Sequence, residues 1–206
     1  MIKFENIYVK KKDKVVLNHI SGQISEGDRI LITGPSGSGK TTLLKTLLFF
    51  DYPESATILY RNDSVNKKNI RDYREAFAYI GQNPPAYIGS TGSLIKFMVR
   101  DLMDKDKKFK NLMEYYHLNH ELLKSPFLSL SNGEKQRFNI IMALLMERKI
   151  YLLDEITSNL DPDNVQKTID CFSNESFTCL VISHQKDWEK FATRHWYLKE
   201  SLEEIQ

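Results

Sequence analysis

Apolar and polar positions alternate at the start of the chain, where Ile2, Phe4, Ile7 and Val9 sit among polar neighbours and Val15, Val16, Leu17 and Ile20 follow a charged turn. That alternation predicts two antiparallel strands. Arg29–Thr33 (RILIT) is a short apolar run that leads directly into GPSGSGKTT and then into TLLKTLLFF, giving strand, glycine loop, helix. Ile150–Leu153 (IYLL) and Thr178–Ile182 (TCLVI) show no alternation and have strand length, as expected of strands covered on both faces of a parallel sheet. Between Ile88 and Phe127 the period lengthens: Phe109, Leu112, Met113 and Tyr116 fall at helical spacing, and the charged run Asp104–Lys108 is placed between helices. The expected fold is α/β: a mostly parallel core sheet, an N-terminal antiparallel β layer and an inserted helical lobe. One domain over 1–206 is expected, with the core at 1–87 and 138–206 and the lobe at about 88–137.

Composition narrows the function classes. The 206 residues suffice for one core with an inserted lobe, and 29 basic against 27 acidic residues leave a net charge of +2, so nothing in the balance calls for a nucleic-acid partner. Cys171 and Cys179 lack metal-ligand spacing and suit a reducing compartment. The most apolar stretch, Leu43 to Phe50, is interrupted by Lys45 and Thr46 and falls far short of the about 20 residues that span a bilayer. The N-terminus carries no apolar signal-peptide core, so a cytoplasmic chain is expected.

Gly34, Pro35, Ser36, Gly37, Ser38, Gly39, Lys40 and Thr41, with Thr42 behind them, fit the P-loop pattern of a P-loop NTPase. Its glycines let successive backbone N–H groups wrap phosphates at a helix N-terminus. Lys40 would reach the β and γ phosphates of ATP, and Thr41 would ligate Mg²⁺. The competing reading, a glycine-rich turn without a ligand, is weakened by the strand before the motif and the helix after it. Asp154 and Glu155 follow a buried strand and so emerge at its carboxyl end, beside the P-loop crevice. Asp154 suits the magnesium shell, and Glu155 suits a general base acting on the attacking water. A solvated acidic pair ending a strand is the plainer alternative. Ser131 followed three residues later by Glu134 makes a capping box for a helix running to about Glu147.

With Gln82 in YIGQNPP, Leu130–Arg137 (LSNGEKQR), Ser158–Asp161 (SNLD) and His184 closing VISH, the chain resembles the ATP-binding cassette (ABC) ATPases over nearly its whole length, with the motifs in family order. The resemblance implies that Gln82 contacts Mg²⁺ and faces a transmembrane partner, and that Ser131, Asn132, Gly133 and Glu134 form the signature acting on ATP held by a second copy. It further implies that Asp161 lies in the D-loop and that His184 is the switch histidine at the γ-phosphate. The short chain, LSNGEKQR and LLDEITSNLD are similar to the small ATPases that pair with a separate permease in metal (iron) export.

Three positions depart from the family pattern. Asn132 replaces a glycine and is expected to keep the loop because asparagine tolerates left-handed backbone, while Glu134 replaces glutamine and is directed to the backbone by the capping geometry. The aromatic that usually stacks adenine is replaced by Lys11; Tyr8, three residues away, points to the other face and reads equally well as packing. The function implied is Mg-ATP hydrolysis in a head-to-tail dimer that drives a membrane permease from the inner face of the membrane. A soluble non-transport cassette, a drug or peptide exporter ATPase and a P-loop small-molecule kinase are the rivals.

Overall fold

Strand β1 (Ile2–Lys11) pairs antiparallel with β2 (Lys14–Ile24), as the alternation predicts. A register shift between Phe4 and Ile7, centred on Asn6 at φ 53°, hands the inward face from Ile2 and Phe4 to Ile7 and Val9. One extra residue in a bulge explains why the inward set changes parity along a single strand. The computed structural model describes residues 1–84, 86–99, 101–173 and 177–205.

The apolar run RILIT forms β3 (Arg29–Thr33), and the loop after it opens into α1 (Lys40–Leu47). Then β4 (Ser55–Tyr60) and β5 (Asp63–Ser64) join the first two strands in a sheet of order β2-β1-β4-β5. Next come α2 (Ile70–Glu75) and β6 (Phe77–Ile80). The lobe holds α3 (Thr91–Met98), α4 (Asp106–Tyr115) and two 3-10 turns at His120–Lys124 and Phe127–Ser129, before α5 (Asn132–Met146). The run Asp104–Lys108 is not wholly an inter-helix segment: α4 begins at Asp106. An acidic residue in a first turn complements the helix dipole, and Asp106 also pairs with Lys110 one turn on at 2.6 Å. The boundary drawn at 137/138 falls inside α5, which is continuous.

The remaining elements are β7 (Ile150–Asp154), α6 (Pro162–Ser173), β8 (Thr178–Ile182), β9 (Arg194–Leu198) and β10 (Leu202–Ile205). They complete a second sheet of order β10-β9-β3-β8-β7-β6, parallel except where β10 meets β9. Its central strands are covered on both faces, which is why their sequences lack alternation. Ile30, Ile32, Ile150, Leu152, Leu180 and Ile182 pack with α1 and the antiparallel sheet. Leu31, Tyr151, Leu153, Cys179 and Val181 pack on the other side, in a core shared with α5, α6 and the lobe. Among the described residues no helix is long and apolar enough to cross a membrane.

Candidate functional site

Beyond Thr33 the chain turns through residues 34–39 into α1. Gly34 has φ 139°, and a Cβ there would run into the Leu198 carbonyl of β9. Gly39, at φ 99°, presses on β2, where an added Cβ would lie 2.9 Å from the Val16 carbonyl oxygen and 2.8 Å from Leu17. Only glycine meets both demands. Gly39 is also the N-cap of α1, and no side chain caps the helix, so its first backbone N–H groups are left without a side-chain partner, as an anion site requires.

Lys40 is 7% exposed, and its Nζ donates to the carbonyls of Gly34 at 2.8 Å and Pro35 at 2.9 Å. Burial pushes its pKa down, while the charges of Glu155 and then Asp154 oppose that shift. Ser38 Oγ is buried and has no hydrogen-bond partner among the described residues, which suits a hydroxyl waiting on a phosphate oxygen. Thr41 Oγ1 donates to Asp154 Oδ1 at 3.1 Å, joining the loop to the end of β7, and Thr42 is buried behind it. A hydroxyl and a carboxylate side by side are hard oxygen donors of the kind Mg²⁺ takes, so Thr41 and Asp154 fit that ion.

Asp154 is 3% exposed, and its second oxygen accepts from the Tyr79 hydroxyl at 3.1 Å. Burial first, then the Asp154 charge and this bond, raises the Tyr79 pKa above its ordinary value, so the phenol keeps its proton as a donor. Tyr79 stands on β6 opposite Leu152 of β7. No sequence signal marked Tyr79, because the contact depends on a strand pairing that a four-residue strand does not announce.

Glu155 has φ 50°, a left-handed conformation uncommon outside glycine, and its backbone N–H donates to the Ile182 carbonyl at 2.9 Å. Gln82 Nε2 donates to Glu155 Oε2 at 3.1 Å, and His184 Nε2 lies 3.8 Å from Glu155 Oε1. With its amide nitrogen on Glu155, Gln82 has its carbonyl oxygen as the atom that could ligate a metal. Thr157 ties the loops that follow β7 and β8, donating to Gln185 Oε1 at 2.5 Å and accepting from Trp188 Nε1 at 3.0 Å. The fold thus brings the loop 34–42, Asp154, Glu155, Gln82 and His184 together: a cradle for phosphates, a place for a divalent ion, and a carboxylate flanked by an amide and an imidazole. Such a set can bind a nucleoside triphosphate and direct water at its terminal phosphate.

The signature residues make their own set of contacts. Ser131 caps α5 through Glu134 N to Ser131 Oγ at 3.3 Å, and Glu134 Oε2 accepts in return from Ser131 N at 2.8 Å. The bond from the Ser131 backbone, then that from its side chain, lowers the Glu134 pKa. Asn132 does not need left-handed backbone: it is the first residue of α5, in right-handed helix, because Ser131 supplies the turn into the helix. Gly133 faces the loop before α6, where a Cβ would stand 3.5 Å from the Asn159 carbonyl. Asp161 Oδ1 accepts from Asn164 N at 3.0 Å and Oδ2 from Asn164 Nδ2 at 2.7 Å, so it caps α6. Among the described residues no hydrogen bond or ion pair joins 131–134 to 34–42. Lys11 is engaged by Asp51 at 2.6 Å, and Tyr8 stacks on His19 with centroids 5.2 Å apart, which favours packing for Tyr8.

A narrow groove of about 240 Å³ separates core from lobe and is lined by Phe50, Tyr79, Leu94, Met98, Asn139 and Met142. Two larger cavities, about 630 and 640 Å³, lie against the lobe and touch none of the residues above.

The family model described as ABC transporter matches residues 17–158. The "probable iron export ATP-binding protein FetA" of Escherichia coli is 32% identical over 194 residues, covering 91% of this chain and 86% of that protein. Some other curated relatives are much longer: the chain spans 29% of the ATP-dependent permease MDL1 of Candida albicans, at 28% identity and with 89% of this chain covered. A solved ATP-binding subunit of an ABC transporter superposes with TM-score 0.90 at 19% identity, covering all of this chain and 90% of that one. The dimeric cassette MJ0796 bound to ADP and Pi superposes with TM-score 0.83 at 22% identity, covering 100% of this chain and 99% of that one. The family match covers well over half of the chain and spans the P-loop, the signature and both carboxylates, so this chain belongs to the ABC transporter family as an ATP-binding ATPase cassette of P-loop fold.

Proposed function

We propose that this cassette hydrolyses Mg-ATP in a head-to-tail dimer and passes the energy to a membrane permease, with metal export as the transport it serves. The observation that carries the catalytic part is the convergence of Gln82 and His184 on Glu155, at 3.1 and 3.8 Å, beside the loop that holds Lys40. Loop 34–42 binds the phosphates, Glu155 takes the proton of the attacking water, and His184 and Gln82 orient that carboxylate and the terminal phosphate. Thr41, Asp154 and Gln82 would hold a magnesium ion, which would supply charge neutralisation for the phosphates. That no hydrogen bond or ion pair among the described residues joins Ser131–Glu134 to the chain's own loop 34–42 supports their use on ATP bound by a second copy, and the dimeric MJ0796 cassette is in keeping with it.

A cytoplasmic helix of the permease would dock between core and lobe near Gln82 and Tyr87, with a side chain entering the groove that Tyr79 lines. Phe50 and Met98 in the groove lining are exposed apolar side chains, as are Ile88 and Phe97 of the neighbouring chain segments. Peripheral attachment to the inner face of the membrane would follow from that contact. Metal export rests on the likeness to the iron export protein, and a permease co-purified with the chain would test it by which solute stimulates ATPase activity. For the chemistry, Glu155→Gln should keep nucleotide binding and lower the hydrolysis rate by about 10²- to 10⁴-fold. A variant that turns over at the wild-type rate removes Glu155 from the role of base.

A further inference from the structure

We propose that Tyr79 is a positioning residue that aims the metal-binding carboxylate of Asp154 and ties it to the groove between core and lobe. The inference rests on the assignment of Asp154 to the magnesium shell made above.

Each oxygen of the buried Asp154 carboxylate meets one hydroxyl, Thr41 on Oδ1 and Tyr79 on Oδ2, both at 3.1 Å. A carboxylate that ligates through one oxygen can still rotate about its Cβ–Cγ bond. A hydrogen bond to the other oxygen stops that rotation and fixes the direction of the ligating atom. Thr41 belongs to the metal shell itself, whereas Tyr79 reaches Asp154 from the neighbouring strand. The parallel ladder between β6 and β7 runs from Phe77–Ile150 to Ile80–Leu153, so the phenol is carried by a rigid element.

The body of the same ring faces elsewhere. Tyr79 lines the groove of about 240 Å³ together with Phe50, Met98 and Met142. Phe50, 55% exposed, meets the Tyr79 ring edge-on, with centroids 6.2 Å apart and planes at 80°. The Arg74 guanidinium covers Phe50 at 5.2 Å and donates to the carbonyls of Leu48 and Phe49, which anchors the segment that carries Phe50. An apolar side chain entering the groove therefore presses on a ring whose hydroxyl holds Asp154. One residue senses groove occupancy at one end and sets carboxylate direction at the other.

The test uses the full chain with a non-hydrolysable ATP analogue, reading Mn²⁺ binding by electron paramagnetic resonance and analogue affinity with and without metal. Tyr79→Phe, and Tyr79→Met as a second variant that fills the groove without a hydroxyl, should each weaken Mn²⁺ binding by about 10-fold, the lower end for outer-shell partners of metal ligands. Analogue affinity in the presence of a chelator should not change. Phe50→Ala should weaken Mn²⁺ less, and should add nothing in the Tyr79→Phe background, since its effect passes through the same ring. The inference is overturned if both Tyr79 variants keep wild-type Mn²⁺ affinity while Asp154→Asn loses it. Losses that are equal with and without metal would show packing alone and overturn it too, and an additive Phe50→Ala effect would cut the link to the groove. Wild-type Mn²⁺ binding by Asp154→Asn would instead remove Asp154 from the metal shell, and the inference with it.

Discussion

Two helices of this protein begin at residues expected to meet phosphate, and they begin differently. Helix α1 starts after Gly39 with no side-chain cap, and its neighbour Lys40 is folded onto the loop's own carbonyls. Helix α5 starts at Ser131 with a complete capping box, in which the Glu134 N–H is served by Ser131 Oγ and the N-cap N–H by the Glu134 carboxylate. The first end has no side-chain cap and a cation at hand; the second has two of its donors met by the capping box and carries a negative charge. An α5 end that meets a partner's γ-phosphate must do so with Glu134 held back on Ser131, whereas α1 need only release Lys40. On the proposed dimer, the difference would separate a site built to bind from one brought to a bound ligand.

The largest expected effect sharpens that contrast. Lys40→Ala should weaken ATP by roughly 10- to 100-fold, the loss of a charge-assisted hydrogen bond, as read by direct titration. Ser131→Arg should leave ATP binding to the monomer intact yet abolish turnover. Mixing the two inactive proteins should restore partial ATPase activity, because one of the two composite sites in the heterodimer keeps an intact loop and an intact α5 end. Crosslinked heterodimers without activity would break the distinction between the two ends.

A smaller effect is expected from Ser131→Ala, which removes the N-cap and should cost about 1 kcal/mol, or about 2–4 °C in melting temperature for a chain of this size. Unchanged melting would mean that the box adds nothing to α5. The smallest effect concerns charge alone. Glu134→Gln keeps an acceptor for Ser131 N but removes the negative charge, so turnover of the dimer should rise a few-fold, about the effect of a surface charge at a helix end. Because the folded carboxyl is held below its unfolded value, its contribution to stability is present at neutral pH and lost as pH falls through the folded value. The stability difference between wild type and Glu134→Gln should therefore close in acid. A difference independent of pH would show that the Glu134 charge plays no part in the cap.

What could be read from the sequence was whatever local rules write down. The loop 34–42 needs glycine at Gly34 and Gly39 for contacts with β9 and β2, and those glycines are visible without knowing the contacts. Strands β3, β7 and β8 announce themselves because both faces are covered, and α5 because its cap and its apolar body are contiguous. Strands β4, β5, β6, β9 and β10 escaped, being short, mixed in polarity and dependent on partners far along the chain. The expectation for Asn132 erred by treating the signature as a loop, when the cap at Ser131 already makes it helix. Tyr79 was out of reach for the same reason as β6: its meaning lies in a pairing across 75 positions.

Strand order also dictates a timetable. β1, β2, β4 and β5 can close their sheet once residue 64 has been made. β3, made soon after β2, lies between β8 and β9, so neither edge finds its neighbour until residues 178–198 arrive. Until then Ile30, Leu31 and Ile32, at most 2% exposed when folding is complete, sit on a strand with two open edges. Closing so long a loop is slow, and open apolar edges recruit other chains. The hazard of aggregation during synthesis is thus written into the order of the strands, independent of the nucleotide the finished protein binds.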